Sequence, residues 1–179
     1  LSDDSVGVRI YGGQVVAQAV SAGQRSIHNG FQLHSLHSHF LRPGDPKRPV
    51  EYHVEALRDG RSFSTRRITA QQAGKAIFLA TLSYQVEEEG FEFQATMPVV
   101  TPPEQLVADQ QLITTIMPDN GYGWPIEFRQ VEPMDYVAPS TKPACAYVWF
   151  KAADKVGEDP QLNQQLLAYA SDNPILSVV

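Results

Sequence analysis

Residues 50–86 read VEYHVEALRDGRSFSTRRITAQQAGKAIFLATLSYQV, three runs of strand-forming sequence separated by two glycine-bearing dipeptides. Val50 to Arg58 alternates Val50, Tyr52, Val54 and Ala56 against Glu51, His53, Glu55 and Leu57, as a strand does in a sheet with unequal faces. Asp59-Gly60 is a hairpin dipeptide, and a type I′ turn with positive φ at both positions is expected there. Arg61 to Gln72 returns, Ala73-Gly74 turns, and Lys75 to Val86 returns again. The β-branched and aromatic residues Thr65, Ile68, Thr69, Ile77, Phe78 and Tyr84 suit these strands. Glu87-Glu88-Glu89-Gly90 ends the run.

Toward the N-terminus, Gln32 to Leu41 alternates and stops at Arg42-Pro43-Gly44-Asp45-Pro46, a strong chain breaker. Before it, a helix is expected from Gly13 to about Ser26. Val16, Val20, Gly23 and Ile27 recur at three- and four-residue steps, and Val15, Ala19 and Ala22 widen the stripe. The small residues Ala17, Ala19, Ser21, Ala22 and Gly23 would let strands approach this helix closely, so it reads as buried. One such helix followed by four long antiparallel strands is an α+β arrangement in which the sheet wraps the helix.

Past residue 97 the composition shifts. Pro98, Pro102, Pro103 and Pro118 bracket one short helical stretch around Glu104–Ile116. Strands are then expected over Ile126–Val131 and Ala144–Lys151, and a helix over Gln161–Ala170 with Pro160 at its first position. Leu162, Leu166, Leu167 and Ala170 would line that helix's apolar face. The organisation is therefore an N-terminal domain at 1–97, a Pro-rich linker at 98–125, and the start of a second, incomplete domain at 126–179.

Composition narrows the function. The 179 residues are 42% hydrophobic and 19% charged, a globular balance rather than a disordered one. A formal net charge of −6 argues against nucleic acid as partner, since phosphates demand a cationic surface. The charge is split, with ten Lys/Arg against six Asp/Glu through residue 75 and four against fourteen beyond it. Basic residues such as Arg42, Arg58, Arg66 and Arg67 either steer an anion or decorate a solvated sheet face; the second is the expectation. A single Cys excludes an internal disulfide and points to a reducing compartment. No apolar run approaches the roughly 20 residues of a membrane span.

Chemistry-bearing residues are few. In His34-Ser35-Leu36-His37-Ser38-His39, strand geometry puts His37 and His39 on one face and His34 on the other. No Cys, Asp or Glu stands at supporting spacing, so no metal site is expected. Gly12-Gly13-Gln14 lacks the spacing of a dinucleotide fingerprint, and neither a phosphate-binding loop nor a Gly-x-Ser-x-Gly elbow is present. Cys145, in the apolar run Ala144-Cys145-Ala146-Tyr147-Val148, is expected to be a buried, unreactive thiol. Asp172 ends an otherwise apolar helical face. It reads either as a turn-forming residue before Pro174 or as a carboxylate kept for chemistry.

Four segments together resemble a known family: Tyr11 to Ala19, His34 to Asp45, Arg58 to Arg67, and Ala168-Tyr169-Ala170-Ser171-Asp172. They resemble the type II acyl-CoA thioesterases, the TesB-like family, and the resemblance runs from about Val8 to Leu176. It implies a double hotdog fold, two copies of a long helix wrapped by an antiparallel sheet, with the second copy truncated in this chain. It implies hydrolysis of fatty acyl-CoA to free acid and CoA by water activated by a carboxylate, with no cofactor. Asp172 matches the family's catalytic Asp, whose Thr or Ser and Gln partners fall on strands past residue 179. His34 opens a family motif and is expected as a polar contact to substrate. Asn173-Pro174 departs from the family, which continues helix there. A non-catalytic acyl-CoA binder is the alternative, and a hotdog dehydratase a weaker third reading. The family further implies a homo-oligomer paired through hotdog sheets, in the cytoplasm, or in the peroxisome of a eukaryote.

Overall fold

The computed structural model describes residues 9–28, 30–116, 125–133, 143 and 145–173. In chain order the elements are α1 (Gly12–Gln24), β1 (Phe31–Phe40), β2 (Glu51–Asp59), β3 (Phe63–Gln72), β4 (Lys75–Val86), a single 3-10 turn (Pro103–Gln105), α2 (Asp109–Ile116), β5 (Ile126–Gln130), β6 (Val148–Ala152) and α3 (Pro160–Ala170). They fall into two compact units: Leu1–Phe91 with Glu158–Tyr169, and Glu92–Gly157 with Ala170–Val179.

The first unit is a four-stranded antiparallel sheet in the order β1-β4-β3-β2, packed on α1. The strands are not a simple meander. Only β2-β3-β4 follow one another by hairpins; β1 pairs with β4, because the Pro-rich stretch after Phe40 carries the chain across to the far edge. Alternate residues of the two central strands face the helix: Ser64, Arg66, Ile68 and Ala70 on β3, paired with Tyr84, Leu82, Ala80 and Phe78 on β4. Against them lie Val15, Val16, Ala19, Val20 and Gly23 of α1. Each fully buried Leu, Ile or Phe here contributes about 1.5–3 kcal/mol of burial. Gly23 is what permits the approach, because a Cβ there would strike the Tyr84 hydroxyl and come within 2.5 Å of Leu82 Cδ1.

The hairpin turns depart from expectation in one place. Among the described residues positive φ occurs at Gly30, Ala73 (φ 48) and Gly74 (φ 73), and not at Asp59 or Gly60. The type I′ geometry therefore sits at Ala73-Gly74, where Gln72 pairs with Lys75. The β2–β3 connection is longer, pairing Asp59 with Ser64 and closed by the Gly60 N–H donating to the Phe63 carbonyl at 2.9 Å. A bulge between Ala56 and Arg58 shifts the register there and frees Asp59 to meet Arg66.

Arg66 explains much of how this unit is tied. It is 3% exposed, on the helix-facing side of the sheet. Its Nε donates to Ser26 Oγ at 2.9 Å, one terminal nitrogen to the carbonyls of Arg58 and Thr65 at 3.1 Å, and the other to the Ser26 carbonyl at 3.0 Å and Asp59 Oδ1 at 2.6 Å. The guanidinium thus joins the end of α1 to the β2–β3 connection. The other basic side chains are solvated: Arg67 pairs with Glu55 at 2.6 Å and Arg48 with Asp45 at 3.2 Å, both pairs half exposed.

In the second unit β5 and β6 form an antiparallel pair with Ile126 and Phe128 buried. The segment read as a linker is tied to this hairpin. Arg129 donates to the carbonyls of Pro103 and Leu106 at 2.7 and 2.9 Å, Gln110 to Ile126 O at 2.7 Å, and Trp149 Nε1 to Thr101 O at 2.9 Å. Cys145 precedes β6 and is exposed, not buried in a strand as expected, because pairing begins only at Val148.

Candidate functional site

α3 closes at Ala170, and Ser171 to Asn173 turn immediately after it, the Asn173 N–H donating to the Ala170 carbonyl at 3.3 Å. Asp172 stands in this turn and is half-buried. The helix breaks here as the Asn173-Pro174 dipeptide requires, since the residue before Pro is pushed out of the helical region. Pro174 and the residues after it lie outside the described part of the chain.

Within the first unit, α3 is anchored to α1 at both of its ends. Near the start of α1, the Tyr11 hydroxyl donates to the Tyr169 carbonyl at 3.1 Å, and the two rings lie 4.9 Å apart, tilted by 58°. A Cβ on Gly13 would strike that same carbonyl oxygen, so glycine is required for the close approach. Near the end of α1, Gln24 engages Gln161, Gln164 and Gln165. Sequence periodicity missed this. It assigned contact to Leu162, Leu166, Leu167 and Ala170; Ala170 is fully buried, but Leu162 and Leu167 are 37% and 56% exposed and the glutamines make the bonds to Gln24. A run of Gln in a helix reads as solvated unless a buried amide partner is known.

His34 occupies a bulge. β1 pairs Leu33 with Tyr84 and then Ser35 with Ser83, leaving His34 as the extra residue. The extra residue resets the alternation. Ser35, His37 and His39 pair with Ser83, Thr81 and Leu79, away from the helix. The His34 ring meets Phe63 edge-on at 6.0 Å, and Phe63 points to that same outer face. The expected opposition between His34 and the His37/His39 pair is therefore overturned by the bulge. His37 and His39 are exposed, their rings 4.7 Å apart and nearly perpendicular. Among the described residues no three His, Cys, Asp or Glu side chains gather to hold a metal ion.

Burial pushes the phenols of Tyr84 and Tyr52 well above their usual range, with the Arg66 charge opposing this at Tyr84. Burial also raises Asp109, against hydrogen bonding from Gln130. Hydrogen bonding from Arg129 lowers Glu127. A cleft of about 170 Å³ in the second unit is lined by Pro103, Glu104, Glu127, Arg129, Trp149, Phe150 and Lys151. It is smaller than the roughly 300 Å³ at which ligand pockets begin, and neither His34 nor Asp172 lines it.

Residues 2–85 match the acyl-CoA thioesterase N-terminal domain. The acyl-coenzyme A thioesterase 8 of Rattus norvegicus is 36% identical over 94% of this chain and 58% of its own length. The acyl-CoA thioesterase 2 of Haemophilus influenzae is 38% identical over 92% of this chain and 60% of its own. The crystal structure of the acyl-CoA thioesterase II TesB2 from Mycobacterium marinum superposes with a TM-score of 0.76 at 36% identity, covering 94% of this chain and 61% of that one.

The chain belongs to the type II acyl-CoA thioesterase family.

As a TesB-like chain it has the hotdog fold, with α1 as the helix and β1 to β4 as its wrapping sheet. The chain spans about 58–60% of the length of the thioesterases just named from rat and Haemophilus. Among the described residues no helix is long and apolar enough to cross a membrane.

Proposed function

We propose that this protein hydrolyses fatty acyl-CoA thioesters to free fatty acid and CoA, with Asp172 as general base. The observation that carries the reading is a half-buried carboxylate in the turn directly after α3, in a chain that aligns over 94% of its length with an acyl-CoA thioesterase. A thioester carbonyl is electrophilic enough to need no covalent nucleophile. Asp172 takes a proton from water held at about 2.6–3.2 Å as the water oxygen attacks the carbonyl carbon. The C–S bond then breaks, and the proton passes to the departing CoA thiolate. A Thr or Ser and a Gln on strands past residue 179 would orient that water. His34 serves as a polar substrate contact, supported by its exposed position in the β1 bulge.

The oligomer we propose is a pair of like chains joined through sheet edges. β2 is an edge strand, and its Val54 and Leu57 are 38% and 46% exposed, an apolar edge that unpaired sheets usually avoid. The compartment is the cytoplasm, or the peroxisome if the host is a eukaryote. The test is release of free thiol from acyl-CoA of graded chain length by the complete protein. Turnover is expected with medium or long acyl chains, and tight binding without thiol release would instead make the protein a binder.

A further inference from the structure

We propose that His37 and His39 form a two-imidazole chelate for a divalent first-row transition-metal ion, with Cu2+ held tightest, on the outer face of β1. The two residues are alternate members of one strand, so their side chains leave the same face from Cα atoms about 6.6 Å apart. Past the bulge the strand pairs with β4 residue for residue, from Ser35 with Ser83 to Phe40 with Phe78, and that unbroken register fixes the backbone under both rings. Both side chains are exposed, and their ring centroids lie 4.7 Å apart. Among the described residues neither ring takes part in a hydrogen bond or an ion pair, so the ring nitrogens are open to a ligand.

The spacing is the one a shared ion requires. A metal–nitrogen bond of about 2.0–2.1 Å puts the ion about 3.2 Å from a ring centroid, so two imidazoles on one ion stand roughly 4.5 Å apart at a right angle and roughly 5.2 Å apart at a tetrahedral one. The observed 4.7 Å falls between them. A ring turning about its Cβ–Cγ bond barely moves its centroid, so exposed rings aim their nitrogens at the ion without moving the strand. The surroundings choose the metal. Opposite His37 and His39 on β4 stand Thr81 and Leu79, and beyond those on β3 stand Arg67 and Thr69. Arg67 is already paired with Glu55 at 2.6 Å. Among the described residues no third His, Cys, Asp or Glu joins the pair, so water completes the shell. Ca2+ and Mg2+ demand oxygen ligands and are disfavoured, whereas nitrogen donors rank Cu2+ above Ni2+ and Zn2+. The other histidines of this face do not compete. His34 packs edge-on against Phe63, and His53 lies three strands across the sheet, roughly 14 Å away, beside Glu51. No thiol or carboxylate near the motif suggested a metal in the sequence, but two imidazoles at this spacing need neither.

The test uses the complete protein, Cu2+, Ni2+ and Zn2+ as simple salts, and four variants: His37→Gln, His39→Gln, the two combined, and His53→Gln. Titration calorimetry at about pH 8, where an ordinary imidazole is neutral, is expected to show one equivalent of Cu2+ bound by wild type that the combined variant lacks. Each single variant at the pair should bind that equivalent about tenfold more weakly or worse, because the second imidazole of a tethered pair binds intramolecularly. His53→Gln should match wild type. Electron paramagnetic resonance of this Cu2+ should show coupling to two imidazole nitrogens in wild type and to one in either single variant. Zn2+ and Ni2+ should bind more weakly than Cu2+, and Zn2+ should raise the urea midpoint of wild type above that of the combined variant. Circular dichroism checks folding, and either single variant decides the matter if the other does not fold. Cu2+ bound by the folded combined variant with wild-type strength and stoichiometry overturns the proposal, as does wild type that binds no Cu2+. An equal loss in His53→Gln would place the ion elsewhere and overturn it too.

Discussion

Gly23→Ala sets two effects of opposite sign against each other, and the structure decides between them. Gly23 lies one residue inside the end of α1, where alanine is intrinsically better than glycine by about 1 kcal/mol. The added Cβ, however, would strike the Tyr84 hydroxyl and lie 2.5 Å from Leu82 Cδ1. Neither neighbour can retreat, as Leu82 is 0% and Tyr84 1% exposed. Overpacking of this kind costs about 1–3 kcal/mol, so the net expectation is a loss of about 1 kcal/mol, or a Tm lower by about 2–4 °C. Tyr84 supplies the control. Its hydroxyl is buried without a hydrogen-bond partner among the described residues, so Tyr84→Phe should be neutral or stabilising by about 1 kcal/mol. In a Tyr84→Phe background Gly23→Ala should cost less, with a coupling of about 1 kcal/mol between the two sites. Urea and thermal melts followed by circular dichroism read all four corners of the cycle. A Gly23→Ala variant that melts higher than wild type, with strictly additive effects, would contradict the packing described between α1 and β4.

Further outcomes follow from the polar groups. Arg66→Met should cost about 2–3 kcal/mol in urea unfolding, because five buried donor bonds vanish, whereas Asp59→Asn should cost under about 1 kcal/mol since Asp59 is half exposed. Tyr84 is held neutral in the fold, its pKa raised above the unfolded value near 10. Its stabilisation is therefore complete below about pH 10 and is lost above it, at up to about 1.4 kcal/mol per pH unit, which stability curves at alkaline pH measure. Tyr84→Phe should flatten that decline. Burial raises Asp109 by penalising its charged form, so the neutral Asp109→Asn variant should leave the second unit as stable or more stable at pH 7, read from its melting.

Much of the fold was legible in residues 12–86. The small-residue stripe of α1 and the alternation of the strands are local, so they survive in any tertiary setting. β4 runs over Lys75–Val86 as read. What was not legible depends on partners. The bulge at Leu33/Ser35 shows no signal in β1 itself, because it exists only relative to β4, and it puts His34 on the same face as His37 and His39. Asp59-Gly60 satisfies the rule for a two-residue turn, but the Arg66 bond to Asp59 and the nearby bulge impose a longer connection. Arg66 itself left a readable sign: in Ser64, Arg66, Ile68, Ala70 it shares the face of buried residues, a position a charge occupies only when fully bonded. The glutamines of α3 left none, since a polar helix face reads as solvated until Gln24 is known to be buried opposite it.

The most direct measurement is single-turnover and steady-state release of CoA thiol from a long-chain acyl-CoA by the complete protein and its Asp172→Asn variant, with folding checked by circular dichroism. Loss of the general base should lower kcat about a hundredfold or more at unchanged fold. Undiminished thiol release by the folded Asp172→Asn protein would show that the carboxylate after α3 is not the base.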